Sequence, residues 1–67
     1  MKALITPRQK EIVELLVQGY NDKQVALMFG IAHQTVRNEV RDLMERTDTH
    51  SRIHTLAELI RKGLIML

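Results

Sequence analysis

The 67-residue chain has no cysteine and no tryptophan, a single proline and three glycines, and its only aromatic residues are Tyr20 and Phe29. Without cysteine there are no disulfides, no thiol nucleophile and none of the thiolate zinc sites, a composition that fits a reducing cytoplasm. Two aromatics, with Phe29 expected in the core, are too few for a platform on which unpaired bases stack. No apolar run approaches the roughly 20 residues that cross a membrane, so no membrane partner is expected. The opening MKALITPRQK lacks the apolar centre of an export signal. Gly-rich phosphate loops, nucleophile elbows and zinc-hydrolase patterns are also missing. Glu11 and Glu14 read as a solvated helix face, and His50 and His54 have no evident acidic or thiol partner for a metal. The chain is therefore expected not to be an enzyme and to hold no cofactor or metal.

What is present is one small all-α domain. Thr6, Pro7 and Gln9 supply an N-cap, a proline at the first helical position and a capping-box partner. The first helix is expected over about residues 7–18, with Ile12, Leu15 and Leu16 on one face, Val13 and Val17 widening it, and Gly19 as the stop. Further helices are expected at about 22–29, 33–46 and 52–62. Ser51 caps the last, Arg61 and Lys62 favour its negative end, and Gly63 stops it. The intervening Thr47-Asp48-Thr49-His50-Ser51 is a polar connector. There are no repeats, low-complexity stretches or interdomain linkers.

Residues 19 to 40, GYNDKQVALMFGIAHQTVRNEV, carry the clearest pattern. Asn21 caps a helix whose first turn holds Asp22 and Gln24, and Val25, Ala26, Met28 and Phe29 give it an apolar stripe. Ala26 is small enough for a close helix crossing. Gly30 can take the positive φ of a sharp stop. Ile31 and Val36 can plug the angle between this helix and the next. On the next helix Val36, Val40, Leu43 and Met44 cluster on one side, with Gln34, Arg37, Asn38 and Arg41 opposite. Glu39 and Asp42 fall to the flanks, and Glu45 lies near the far end of the polar face. This is the layout of a helix-turn-helix, whose second helix enters the DNA major groove. Arginine can grip guanine through two acceptors, and asparagine or glutamine can pair with adenine. The formal charge of +2 and pI of about 9.4 permit such a partner without requiring it.

These residues carry a resemblance. ITPRQKEIVELLVQG, NDKQVA, GIA, TVR, SR and the late GLI resemble the LuxR/FixJ-type (GerE-like) DNA-binding domain over residues 5 to 65. The resemblance implies a four-helix domain whose third helix enters the major groove of double-stranded DNA and whose fourth often mediates dimerisation. It implies base contacts by Arg37, Asn38 and Arg41, and phosphate contacts by Lys23, Gln34 and Thr35. Most family members carry a separate sensor domain; residues 1–67 show none and read as a free-standing regulator, although an excised domain would read the same. The sequence departs from the family pattern in three places. Ala32 stands where a capping serine is usual, and such a loss costs about 0.5–2 kcal/mol. Glu39 replaces a frequent histidine and would repel a phosphate. Thr47 and Thr49 replace apolar anchors, which implies a connector that is looser or differently packed.

In the last helix, Ile53, Leu56, Ala57, Ile60 and Leu64 form one stripe, part of which closes the core, with Leu59 at its edge and Ile65, Met66 and Leu67 following. This surplus suggests a homodimer seam at Leu56, Leu59 and Ile60, assisted by the tail. The alternative is a tail folded back as a lid on a monomer. The resulting expectation is a small cytoplasmic, sequence-specific transcriptional regulator, a homodimer on a two-fold site. A second reading stays open: a protein-interaction module, an inhibitor or adaptor of another regulator or of RNA polymerase, on the same scaffold.

Overall fold

The computed structural model describes residues 4–66. Among them the chain forms four helices and no strand: α1 (Pro7–Val17), α2 (Asp22–Phe29), α3 (His33–Arg46) and α4 (Arg52–Arg61). The starts are chemical. Thr6 accepts from the Gln9 amide while the Gln9 side chain accepts from the Thr6 amide, and Asn21 and Gln24 repeat this reciprocal box at α2. Ser51 accepts from the His54 amide at α4, whereas Ala32 leaves α3 without a side-chain cap.

The helix ends share one solution. After each last turn, an amide bonds back to the carbonyl five residues earlier: Tyr20 to Leu15, Ile31 to Ala26, Thr49 to Met44 and Leu64 to Leu59. The residue before each of these amides is left-handed, and three of the four are the chain's glycines. α2 turns sharply into α3 because Gly30 adopts φ 64°. A Cβ there would meet nothing within 4 Å, so the constraint is backbone conformation rather than space. At the end of α3 the same position is filled by Asp48, with φ 54°. Aspartate tolerates this region better than most residues but less well than glycine.

Two apolar clusters hold the helices together, and α1 supplies both. Ile12 packs with Val25, Ala26 and Val36, supported by Leu15, Leu16, Phe29 and Ile31. Its neighbour Val13 packs with Leu43, Leu59 and Ile65, supported by Ile5, Val17, Leu56, Ile60 and Leu64. The first cluster fixes the helix-turn-helix angle, with Ile31 and Val36 filling it as expected. The second ties α1 and α3 to α4 and the tail.

The structure corrects the sequence reading of α4. Leu59, expected at the edge and in a dimer seam, is fully buried, while Ile53 is 81% exposed. The buried face is centred on Thr55 and Leu59, a rotation of roughly 140° from the apolar stripe. Thr55 explains the shift, because a hydroxyl scores as polar yet is buried here with its bonds satisfied. Its Oγ1 donates to the Ser51 carbonyl at 2.8 Å and meets Thr49 Oγ1, which in turn meets Thr47 Oγ1. Thr47 also reaches the Leu43 carbonyl at 2.7 Å. The connector is thus anchored by a chain of hydroxyls, with Thr49 buried: of the two expectations it is differently packed rather than looser.

The tail is corrected too. Ile65 is buried in the second cluster, and the Met66 amide donates to Glu14 Oε2 at 3.1 Å, so the tail folds back on α1. Leu67 lies outside the described residues. Met28, expected in the core, is half exposed, and α2 buries only Val25 and Ala26 fully.

Candidate nucleic-acid interface

α3 separates its faces cleanly because its apolar positions repeat at helical spacing. Val36, Val40 and Leu43 are buried and Met44 is half-buried, while Gln34, Arg37, Asn38 and Arg41 are exposed together on the opposite face. Thr35 is half-buried at the start of the helix, and Lys23 is exposed on α2. Five of the six residues expected to touch DNA are therefore exposed and the sixth is half-buried.

The exposed face is partly pre-ordered. Gln34 Nε2 donates to Asn38 Oδ1 at 3.0 Å, one helical turn on. This holds the Asn38 amide and leaves its Nδ2 free to donate, with acceptor capacity remaining on Oδ1. Among the described residues, Arg41 and Lys23 make no ion pair.

Two of the three acids of α3 are turned aside, while Glu45 stays exposed near the far end of the polar face. Gln9, almost wholly buried, donates through Nε2 to Asp42 Oδ2 at 2.8 Å and reaches Glu39 Oε1 at 3.5 Å. Asp42 also pairs with Arg46 at 3.1 Å, and Arg46 Nη1 donates to the Leu4 carbonyl. Glu39 and Asp42 are therefore engaged with α1 on the flank of α3, away from the arginine-bearing face. Gln9 does double duty, since the same side chain closes the α1 capping box.

Asp22 is the residue whose importance the sequence reading missed. Read there as a first-turn acid, it accepts from both terminal nitrogens of Arg52, one on each carboxylate oxygen. Arg37 Nε lies 3.8 Å from the same carboxylate. The Asp22 side chain is only 12% exposed. The Arg52 hydrogen bonds hold its carboxyl below the ordinary value of 3.8, with smaller contributions from the charges of Arg52, His33 and Arg37, against the opposing effect of burial. A lowered folded value means the pair stabilises the fold above pH 3.8 and that this contribution fades as pH falls through the folded value. Thirty residues separate the partners, and no local pattern links them.

His50 and His54 are both exposed, and no group of three or more His, Cys, Asp or Glu is gathered as a metal site among the described residues. No helix there is long and apolar enough to cross a membrane.

Residues 3–59 match the family described as "Bacterial regulatory proteins, luxR family". The chain is 37% identical over 62 residues to the spore germination protein GerE of Bacillus subtilis, spanning 92% of this chain and 84% of that protein. It is 34% identical over 59 residues to the transcriptional regulatory protein DesR of the same organism, but spans only 30% of that longer protein. The solved structure of the transcription factor GerE superposes with a TM-score of 0.92 at 31% identity, covering 97% of each chain. The four helices, the glycine-turned angle between α2 and α3, and these matches agree: the chain belongs to the luxR family of bacterial regulatory proteins, as a helix-turn-helix DNA-binding domain and not an enzyme.

Proposed function

We propose that the protein is a sequence-specific transcriptional regulator, acting in the cytoplasm, that lays α3 in the major groove of double-stranded DNA. The observation that carries this reading is the outer face of α3, where Gln34, Arg37, Asn38 and Arg41 are exposed together while the nearby acids are drawn toward α1. Arg37, Asn38 and Arg41 read base edges; Lys23, Gln34 and Thr35 contact phosphates. Ala32 supports the phosphate role of the α3 start, since the first amides carry no side-chain cap and point where an anion would be favoured. GerE is described as a transcription factor and DesR as a transcriptional regulatory protein, which favours the same reading here.

Pairing of two copies completes it. Ile53, Leu56, Ala57 and Ile60 follow helical spacing on the solvent-facing part of α4, with Ile53 and Ala57 exposed and Leu56 and Ile60 half-buried. This seam replaces the expected one, which included the buried Leu59. A two-fold dimer would read inverted half-sites about one helical turn apart, roughly 10 bp centre to centre. A single domain of charge +2 makes few phosphate contacts, so paired copies supply the useful affinity.

A second reading rests on α2, where Leu27 is 79% and Met28 53% exposed. These apolar groups suit a surface applied to RNA polymerase or to another regulator. Selection of bound duplexes from a random pool, at two salt concentrations, separates the readings. An enriched inverted repeat is expected, and Arg37→Ala or Arg41→Ala should then cost about 1–3 kcal/mol at the preferred site and relax one base position. A pool that remains unenriched at both salts would remove base reading and leave the interaction module.

A further inference from the structure

An exposed arginine can occupy many rotamers, and ordering it on a base costs side-chain entropy. Arg37 is 56% exposed, yet it has a fixed neighbour: Asp22 Oδ2 lies 3.8 Å from its Nε, an ion pair longer than a hydrogen bond, across the angle of the helix-turn-helix. Asp22 is itself immobilised. It sits in the capped first turn of α2, is nearly buried, and is gripped on both oxygens by Arg52 from α4. Three helices thus converge on one carboxylate.

The edge that Asp22 faces matters. A guanidinium held on its Nε side keeps its two terminal nitrogens free, and those form the end-on fork that matches guanine O6 and N7. Arg52 also solves a problem that a carboxylate near DNA would create. One carboxylate and two guanidiniums sum to one positive charge, so Asp22 orients its neighbour without leaving the face negative. A lone acid there would repel phosphate and slow approach.

Resting on the reading that α3 enters the major groove, we propose that Asp22, locked by Arg52, is a positioning residue for base recognition: it holds the Nε edge of Arg37 and aims its terminal nitrogens at one base pair. Specificity then depends on a side chain that touches no DNA, and on Arg52, which lies outside the helix-turn-helix.

The test begins with the enriched site from the pool selection and scores every base pair by substitution, for the parent protein, Asp22→Asn, Arg37→Ala and the double variant. Asp22→Asn should lower discrimination about 2- to 5-fold at the one position that Arg37→Ala relaxes, the range expected for a single exposed ion pair. The double variant should lose no more there than Arg37→Ala alone. Removing a negative charge should at the same time tighten binding to random duplex and steepen its salt dependence. A purely structural Asp22 would instead weaken binding at all positions and on random duplex together, and that result overturns the proposal, as does unchanged discrimination. Should Asp22→Asn fail to fold by circular dichroism, Asp22→Glu keeps the charge and shifts the carboxylate by one methylene. It should still reduce discrimination at that same position, and no change there would refute the idea. A pool without any enriched site would remove base reading by α3 itself, an outcome distinct from an enriched site indifferent to Asp22.

Discussion

The two clusters that meet on α1 are built by different means. The helix-turn-helix side, around Ile12, Val25, Ala26 and Val36, is assembled from local signals: a capping box at Asn21, a glycine at the turn and small residues at the crossing. The α4 side, around Val13, Leu43, Leu59 and Ile65, depends on partners far apart in the chain and on a buried line of hydroxyls. Local devices make the first side read correctly from sequence, Met28 excepted. On the second side, a threonine that is polar in composition but internal in position turns the whole helix.

The largest expected effect breaks the second cluster. Leu59→Ala should cost about 2–5 kcal/mol, a large share of the stability of a domain of this size. Thermal unfolding followed by circular dichroism measures it, and a loss under 1 kcal/mol would return Leu59 to the surface. Next comes overpacking of the first cluster. Ala26→Leu should cost about 1–3 kcal/mol by forcing α2 and α3 apart, and should weaken DNA binding beyond the loss of stability. If its melting point equals the parent's, the crossing lies elsewhere.

The hydroxyl line gives a smaller and sharper comparison. Thr55→Val keeps the shape but strips Thr49 of one of its two hydroxyl partners and the Ser51 carbonyl of its side-chain donor, at a cost of about 1–2 kcal/mol by urea unfolding. An unaltered midpoint would mean that packing alone holds α4 in its rotation. The smallest effect has the opposite sign. Asp48→Gly relieves a left-handed backbone and should raise stability by about 0.5 kcal/mol, whereas Asp48→Ala should lower it. Equal midpoints for the pair would show that φ at the end of α3 is not a constraint.

Legibility followed the range of the interactions. Thr6, Asn21, Ser51 and Gly30 act on atoms within a few residues, so the helix boundaries match expectation to within one residue at each end. The exposed set Gln34, Arg37, Asn38 and Arg41 was legible for the same reason, since helical periodicity alone separates it from Val36, Val40 and Leu43. What was not legible runs between elements. Gln9 reaching Asp42, and Asp22 gripped by Arg52, join residues about thirty positions apart through complementary groups that occur many times on the surface. Ile53 and Leu59 are equally apolar, and only the docking angle of α4 decides which is inside.

Ile12 and Val13 are consecutive, and each belongs to a different cluster. Melting of either half strips one of two adjacent α1 residues of its packing partners, so the two halves are coupled through α1. The domain should open as a single cooperative unit, and the α1 amides of Ile12 and Val13 should exchange with solvent only through global unfolding. The outer face of α3, proposed above to meet DNA, would then rest on a support that does not loosen piecemeal, and its backbone would hold its place as long as the fold itself.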